Sequence, residues 1–337
     1  MKKIVSYLIL LCTLAAAFSC GPSDRKVLLP NVSGKAGEVL VIMDKDNWEG
    51  NLGNAARELL TRDCPGLPNK EPMYSLVNVA PAAFGDLFKI HRNIVFFNIN
   101  PQGRQEGIIY RNDVWAKPQC LIQVNATTAE SATELLLKEG ETVIADLEQA
   151  ERNRVIANTL LYENKTLAPI VSEMVGGKVH FPNGYRLKMQ TDDFLWFADD
   201  KQYTYQDILV YKYPALPKDN FTVENIVAKR NEILKANVPG MFDNTYMTTS
   251  DYISPQVKFL KYNGIEFVET RGLWEVYGDY MGGPFVSHSF YSRDGKEIIV
   301  LESWVYAAKY DKRQYLRQVE SLLYSFEWPS TDSTPQP

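Results

Sequence analysis

A serine–histidine–serine run near the end of the chain holds the residues that most resemble a reactive pair. Ser287, His288 and Ser289 lie in an apolar segment, and a second apolar segment follows the turn residues Asp294 and Gly295. A serine hydroxyl beside an imidazole is the arrangement of an activated hydrolytic nucleophile. Whether these residues can form it depends on the direction in which each side chain points.

The Asp-Gly turn predicts the register of this hairpin. If Asp294 and Gly295 form a two-residue type I′ turn, Ser287 lies opposite Glu302. Adjacent strand residues point to opposite faces, so Ser287 and His288 cannot act together as nucleophile and base. The sequence therefore assigns no catalytic residue.

The face that carries Ser287 is the candidate ligand face. In this register Tyr291, Glu302 and Trp304 share it. A carboxylate among aromatic rings can be an acid of raised pKa or a hydrogen-bonding anchor in a pocket. The alternative, which we favour, is a structural glutamate whose oxygens are satisfied by neighbouring groups.

A second reactive position lies near the N-terminus. Two lysines precede an apolar run over residues 4–18, and residues 17–20 read Ala-Phe-Ser-Cys, which is typical of a bacterial lipoprotein cleavage site. We predict that residues 1–19 are a signal peptide and that the thiol of Cys20 is lipidated. Several acyl chains hold a protein stably at a membrane, because each buried CH₂ contributes about 0.8 kcal/mol. An ordinary secretory peptide is the alternative.

The sequence implies no metal and no cofactor. The histidines and the two remaining cysteines, Cys64 and Cys120, are scattered and lack the spacing of a zinc site. Residues 44–53 match neither a complete calcium loop nor a complete phosphate-binding loop. In an oxidising compartment the two cysteines could pair, and spacing alone leaves that open.

The net charge and the hydropathy of the chain limit the partners that the protein is expected to bind. Removing the two lysines of the signal peptide from the 36 basic residues leaves 34 against 41 acidic ones, a formal net charge of −7. Nucleic acid is therefore not an expected partner, since binding it requires clustered basic side chains. Beyond residue 19, no apolar run reaches the length of a membrane-spanning helix.

Length and patterning predict two α+β domains, each a mostly antiparallel sheet covered by helices. We expect a lipid-anchored tether over residues 20–37, an N-terminal domain over 38–166, an aromatic-rich C-terminal domain over 178–328 and a disordered tail over 329–337. Apolar runs of strand length alternate with helical patterns in the first domain, and hairpin signals dominate the second.

Two further predictions concern the ends of elements. Thr127 and Glu130 fit a capping box at the start of a long helical pattern, and Gly140 is expected to interrupt that helix. Asp199 and Asp200 follow a predicted strand and are expected to be solvated turn residues.

Several segments resemble an uncharacterised lipoprotein family of Bacteroidota, a domain of unknown function that covers nearly the whole chain. They are GKAGEVLVIMD at residues 34–44, RNI at 92–94, DVWAKPQ at 113–119, FPNGY at 181–185 and FLW at 194–196. This resemblance implies a location in the cell envelope and brings no assigned activity.

The order of elements in the second domain is loosely similar to that of the PsbP-like proteins. The FPNGY segment begins the domain, a central helix and hairpins follow, and a closing helix ends near residues 324–326. This likeness implies an assembly or binding factor rather than an enzyme, although a fold does not fix a function.

These features together predict a lipid-anchored envelope protein, in the outer membrane and facing the periplasm, that binds a partner without catalysing a reaction. The alternatives are an envelope hydrolase that acts on glycan through Glu302 and a solute-binding module that uses the aromatic residues. The expected partners are the membrane, through the lipid on Cys20, and an envelope protein or a glycan. The membrane leaflet and the oligomeric state stay open.

Overall fold

Two β-sheets, each packed against helices, make up the protein. The computed structural model describes residues 28–329, so the predicted signal peptide, Cys20 and residues 330–337 lie outside the described range. The predicted α+β class with two domains is confirmed.

Five strands form the N-terminal sheet: β1 (Glu38–Ile42), β2 (Ser75–Val79), β3 (Asn93–Ile99), β4 (Gly107–Asn112) and β5 (Cys120–Ala126). Their order is β2-β1-β3-β5-β4. The β1–β2, β1–β3 and β3–β5 pairs are parallel, and only β4 runs antiparallel to its neighbour. The prediction of a mostly antiparallel sheet is wrong for this domain. Crossover connections bring the chain back to the end of the sheet at which the previous strand began, so successive strands run parallel.

Burial of both faces explains the apolar strand sequences in this sheet. Val39 and Val41 of β1 pack into the core on one face, whereas Leu40 and Ile42 pack into a second cluster on the other. The helices of this half are α1 (Lys45–Glu49), α2 (Asn51–Leu60), α3 (Asp86–Lys89) and α4 (Ala129–Leu161). None of the helices within residues 28–329 is both long and apolar enough to cross a membrane.

Helix α4 is a single uninterrupted helix of 33 residues. Its capping box consists of Thr128 and Ser131, one residue later than predicted, because the Ser131 side chain and not that of Glu130 reaches back to the cap backbone. Gly140 does not break it. A Cβ atom there would lie 2.9 Å from a methyl carbon of Leu59, so glycine allows α2 to pack closely against α4.

Eight antiparallel strands form the C-terminal sheet, as predicted for this domain. They are β6 (Arg186–Gln190), β7 (Phe194–Asp200), β8 (Tyr205–Pro214), β9 (Tyr246–Thr249), β10 (Gln256–Tyr262), β11 (Ile265–Tyr277), β12 (Gly282–Tyr291) and β13 (Glu297–Tyr306). The order is β10-β11-β12-β13-β8-β7-β6, and β9 pairs with β11.

Helices cover both faces of the C-terminal sheet. They are α5 (Ala168–Val175), α6 (Val223–Asn237) and α7 (Arg313–Leu323). Leu234 of α6 packs into the core on one face, whereas Val171 of α5 and Leu322 of α7 pack into the core on the other. Helix α5 lies in the segment between the two predicted domains.

Polar contacts between α4 and α7 join the two halves. Glu148 of α4 accepts hydrogen bonds from Arg317 Nη2 of α7 at 2.6 Å and from the Tyr74 hydroxyl at 2.5 Å. The Glu71 carboxylate accepts from the backbone N–H groups of Lys312 and Arg313, each at 2.8 Å, and so caps the N-terminus of α7. These contacts connect α7 of the C-terminal half to the N-terminal half.

Candidate functional site

The structure brings the predicted ligand-face residues onto one face of the β12–β13 hairpin. Ser287 lies opposite Glu302, which confirms the predicted register. Ser287, Glu302 and Trp304 are at most 3% exposed, whereas Tyr291 at the end of the strand is 46% exposed. Three of the four residues therefore belong to the core, and ligand binding by them stays a prediction.

The turn of this hairpin differs from the predicted type I′. Only Gly295 has a positive φ, of 71°, whereas a type I′ turn needs positive φ at two residues. The Asp294 carboxylate accepts from the Ser292 hydroxyl at 2.7 Å and from the Lys296 N–H at 3.1 Å. The side chain of Asp294 thus holds the loop while the strand register stays as predicted.

Glu302 is half of a buried ion pair. It accepts hydrogen bonds from Arg230 Nη2 of α6 at 2.8 Å, from Arg230 Nε at 3.0 Å and from the Tyr211 hydroxyl at 3.2 Å. Arg230 also donates to the Thr249 hydroxyl at 2.8 Å. The carboxylate therefore has its charge matched and its oxygens occupied, which is the structural role we favoured.

His288 points to the opposite face, as the strand alternation requires. Its ring packs 4.2 Å from that of Phe267 and 4.5 Å from that of Tyr324, measured between centroids. Burial lowers the pKa of His288 to about 3, so the ring is neutral at physiological pH. Ser287 and His288 are thus separated by the sheet itself.

Both cysteines of the described range are free thiols, so the disulfide left open by the sequence is not formed. Burial raises the pKa of Cys64 to about 11 and also raises the pKa of Cys120. These thiols are therefore protonated and poor nucleophiles at neutral pH. Residues 28–329 contain no cluster of three or more His, Cys, Asp or Glu side chains arranged to hold a metal ion.

A cleft of about 710 Å³ lies where the two halves meet, and we call it the interdomain cleft. One wall comes from the N-terminal half and α4, and the other comes from the C-terminal sheet and α7. The polar residues of the first wall are Asn31, Arg92, Glu151, Arg154, Asn158, Thr159 and Tyr162, and those of the second are Tyr185, Asp199, Lys201, Gln206, Gln314 and Gln318.

The floor of the cleft contains one carboxylate between two guanidinium groups. Glu151 is 1% exposed and lies 3.2 Å from Arg92 Nη2 and 3.1 Å from Arg154 Nη1. Its Oε1 also accepts from Asn93 Nδ2 at 2.7 Å and from the Gly37 N–H at 3.3 Å. These three charged side chains together carry one excess positive charge.

Arg154 is almost fully occupied by neighbouring acceptors. Its Nε donates to the Pro118 carbonyl at 3.0 Å, Nη1 to Asn93 Oδ1 at 2.9 Å and Nη2 to the Arg92 carbonyl at 2.7 Å. Burial lowers the pKa of Arg154, and the charge of Arg92 acts in the same direction. Within the part of the chain that the structure describes, the floor is thus a cationic environment in which Glu151 is the one paired counter-charge.

The opposite wall is neutral and rich in amides. Gln206 Nε2 donates to Gln318 Oε1 at 3.2 Å, and Gln314 lies on the same helix as Gln318. Lys201 and Asp199 at this wall form their own pair at 2.9 Å. The two walls therefore differ, one presenting uncompensated positive charge and the other presenting amide donors and acceptors.

A second unusual group lies within the C-terminal sheet and does not line the cleft. Asp207 is fully buried, accepts from Trp196 Nε1 at 2.7 Å and has an Oδ1 atom without a donor among the described residues. Burial, and after it the charge of Asp200, raise the pKa of Asp207 to about 8. Asp199 and Asp200 both belong to β7, so the prediction that they are solvated turn residues is wrong, and Arg186 and Lys188 lie 3.0 and 3.4 Å from Asp200 Oδ2.

Sequence reasoning missed the groups that form the cleft floor. Arg92 and Glu151 are 59 positions apart and lie on different elements, so no local spacing joins them. The available signal was the pair Glu151 and Arg154 at helical spacing on α4, where both side chains are buried. Charged residues on the buried face of a helix indicate a structural or binding network.

Two families described only as domains of unknown function match the chain. DUF8532 matches residues 32–159 and DUF4837 matches residues 164–325. Neither description assigns an activity, and the resemblance to an uncharacterised family agrees with them. Among curated proteins nothing matches.

Some solved structures show distant likeness. A mutant of protein Mog1 is 11% identical, covers 46% of this chain and 92% of its own, and has a TM-score of 0.32. The Saccharomyces cerevisiae Ran-binding protein Mog1p is 10% identical, with coverages of 45% and 89% and a TM-score of 0.32. The lipid transfer and protein localization domain of human StarD13 (DLC2) is 12% identical, with coverages of 42% and 89% and a TM-score of 0.21. Likenesses this weak carry no argument about function.

Proposed function

We propose that this protein is a non-enzymatic binding lipoprotein of the cell envelope, anchored through Cys20 to the outer membrane and facing the periplasm, and that the interdomain cleft is its binding site. The observation that carries the binding role is the cleft itself. Its volume of about 710 Å³ is within the range of small-molecule sites, and such sites often lie between domains.

The chemistry of the lining supports recognition rather than catalysis. Among the described residues that line the cleft there is no His, Cys or Ser. The Glu151 carboxylate is already occupied by four donors, and Asp199 and Lys201 pair with each other at 2.9 Å. The amide and guanidinium groups of the lining are hydrogen-bonding groups that can orient a ligand.

The start of the described chain lies against the cleft. Asn31, which lines the cleft, pairs with Lys117, and Ser33 pairs with His91. Cys20 precedes Asn31 by eleven residues, a contour length of at most about 40 Å. A lipid on Cys20 would therefore hold the cleft close to the membrane surface.

The binding role is tested by filling the cleft. Ala157 is an exposed α4 residue that lines the cleft, and Ala145 is an exposed α4 residue that does not. We expect small molecules from an envelope extract to raise the melting temperature of the full-length protein and of Ala145→Trp, but not that of Ala157→Trp. A ligand at a hundred times its Kd adds about 2.7 kcal/mol, which corresponds to about 5 °C.

Retention of the shift in Ala157→Trp would place binding elsewhere. The absence of any shift in the unsubstituted protein, with extracts from cells that make it, would count against a solute-binding role. In that case cross-linking in intact envelopes becomes the deciding measurement, because it would detect a protein partner.

The anchor is tested separately through Cys20. We expect Cys20→Ser to abolish incorporation of a radiolabelled fatty acid and to move the protein from the membrane fraction to the soluble fraction. Cys12→Ser is the matched control, since Cys12 lies within the predicted signal peptide. Lipid incorporation in Cys20→Ser would contradict the anchor.

A further inference from the structure

We propose that Arg92 is an oxyanion subsite of the interdomain cleft, which binds the carboxylate or phosphate group of a small acidic ligand. This inference rests on the proposed binding function and names the chemical class of its ligand. It is carried by the charges on the floor of the cleft and by the unequal occupation of its two arginines.

The first argument is the charge balance. Arg92 and Arg154 share the single carboxylate of Glu151, and no further acidic side chain bonds either guanidinium group within the described residues. A buried positive charge is stabilised when an anion completes its environment. A ligand oxyanion would supply the missing counter-charge.

The second argument distinguishes Arg92 from Arg154. Each guanidinium nitrogen of Arg154 donates to a named acceptor, whereas within residues 28–329 the Arg92 side chain has one polar contact, between Nη2 and Glu151. Among the described residues the Nε of Arg92 has no hydrogen-bond partner, but it is buried, so a ligand would reach the terminal nitrogens Nη1 and Nη2. Arginine carries five N–H donors in a planar fork that matches carboxylate and phosphate groups, so Arg92 retains unused binding capacity.

The third argument is that Arg92 is held in place. Its carbonyl accepts from Arg154 Nη2 at 2.7 Å and from the Cys120 N–H at 2.9 Å, and its own N–H donates to the Ser33 carbonyl at 3.0 Å. Its side chain is 15% exposed and reaches the cleft lining. A fixed backbone reduces the ordering that binding requires.

The amide residues that line the same cleft define the rest of the ligand. Gln206, Gln314 and Gln318 present amide groups, which suit hydroxyl, carbonyl or amide groups on the body of the ligand. The cleft therefore fits a small polar acid rather than a purely apolar molecule.

The experiment is calorimetric titration of the full-length protein in detergent with inorganic phosphate and, separately, with succinate. We expect Arg92→Gln to weaken binding at least tenfold, because charge-assisted hydrogen bonds are lost. Arg62→Gln is the matched control, since Arg62 also pairs with a glutamate of α4, Glu141, but does not line the cleft. The two probes distinguish a phosphate ligand from a carboxylate ligand.

Arg92→Lys provides a second variant in case Arg92→Gln fails to fold. It keeps the charge beside Glu151 but loses the fork, so we expect affinity between those of the unsubstituted protein and Arg92→Gln. Unchanged affinity in the folded variants, or no binding of either probe to the unsubstituted protein, overturns the oxyanion subsite. The cleft function would survive that result if Ala157→Trp still abolished the thermal shift by extract molecules.

Discussion

Glu302 and Asp207 are two buried carboxyl groups on neighbouring strands of the same sheet, and their surroundings neutralise them in opposite ways. The β8–β13 register places them on one face, and both are 0% exposed. Glu302 contacts the guanidinium group of Arg230. Asp207 contacts the indole N–H of Trp196 and lies near the carboxylate of Asp200.

The difference shows that burial alone does not determine whether a carboxyl group is ionised or protonated. The arginine lets Glu302 be buried as an ion, whereas Asp207, without a cation of its own, is buried as an acid whose pKa is about 8. Each partner comes from another element, α6 in the first case and β7 in the second. The arrangement of elements therefore decides which group is charged.

The largest predicted effect follows from removing the cation. We expect Arg230→Met to lower the free energy of unfolding by about 3–5 kcal/mol at pH 7, because the carboxylate of Glu302 stays buried without its counter-charge. The measurement is urea unfolding of the full-length protein followed by tryptophan fluorescence. Trp274 and Trp304, which pack against each other in the same core, should report the loss of structure.

The control for this prediction removes both charges. We expect the double variant Arg230→Met with Glu302→Leu to recover most of the lost stability, since an apolar pair can replace a buried ion pair at little cost. A double variant as unstable as Arg230→Met alone would mean that packing and not charge caused the loss. Equal stability of Arg230→Met and the unsubstituted protein would contradict the comparison with Asp207.

The Glu302 environment was partly predictable from sequence, and the reason is local. A short turn joins β12 and β13, so the register of Ser287 against Glu302 follows from the turn position and the alternation of side chains. The same reasoning separates Ser287 from His288. The sequence could not identify Arg230, because a helix 72 positions away supplies it.

The interdomain cleft was not predictable for the same physical reason. Its floor joins Arg92, Glu151 and Arg154 through the packing of α4 on the N-terminal sheet, and its other wall comes from the second domain. Strand direction in the first sheet and the continuity of α4 through Gly140 also depend on long-range packing. Local sequence patterns predict the helices and strands, whereas tertiary contacts determine which strands and which charged side chains pair.

The second predicted effect is the pH dependence that Asp207 confers, which is the smaller effect over any single pH unit. Asp207 is protonated in the folded state up to about pH 8, whereas in the unfolded chain it ionises near its ordinary value of 3.8. The folded state therefore binds more protons between these values, and stability should fall as the pH rises from about 4 to 8, by at most about 1.4 kcal/mol per pH unit. Asp207→Asn should remove this contribution, which urea unfolding at successive pH values measures.

Asp200→Asn separates the two causes of the raised pKa. Burial is the larger cause and stays, whereas the like charge of Asp200 is removed, so the pH at which stability stops falling should move below that of the unsubstituted protein. The lost pairs with Arg186 and Lys188 are partly exposed and should contribute at most about 1 kcal/mol, independently of pH near neutrality. An unchanged pH midpoint in Asp200→Asn would mean that burial alone holds Asp207 as an acid, and the contrast with Glu302 would then lie in the missing cation rather than in a neighbouring carboxylate.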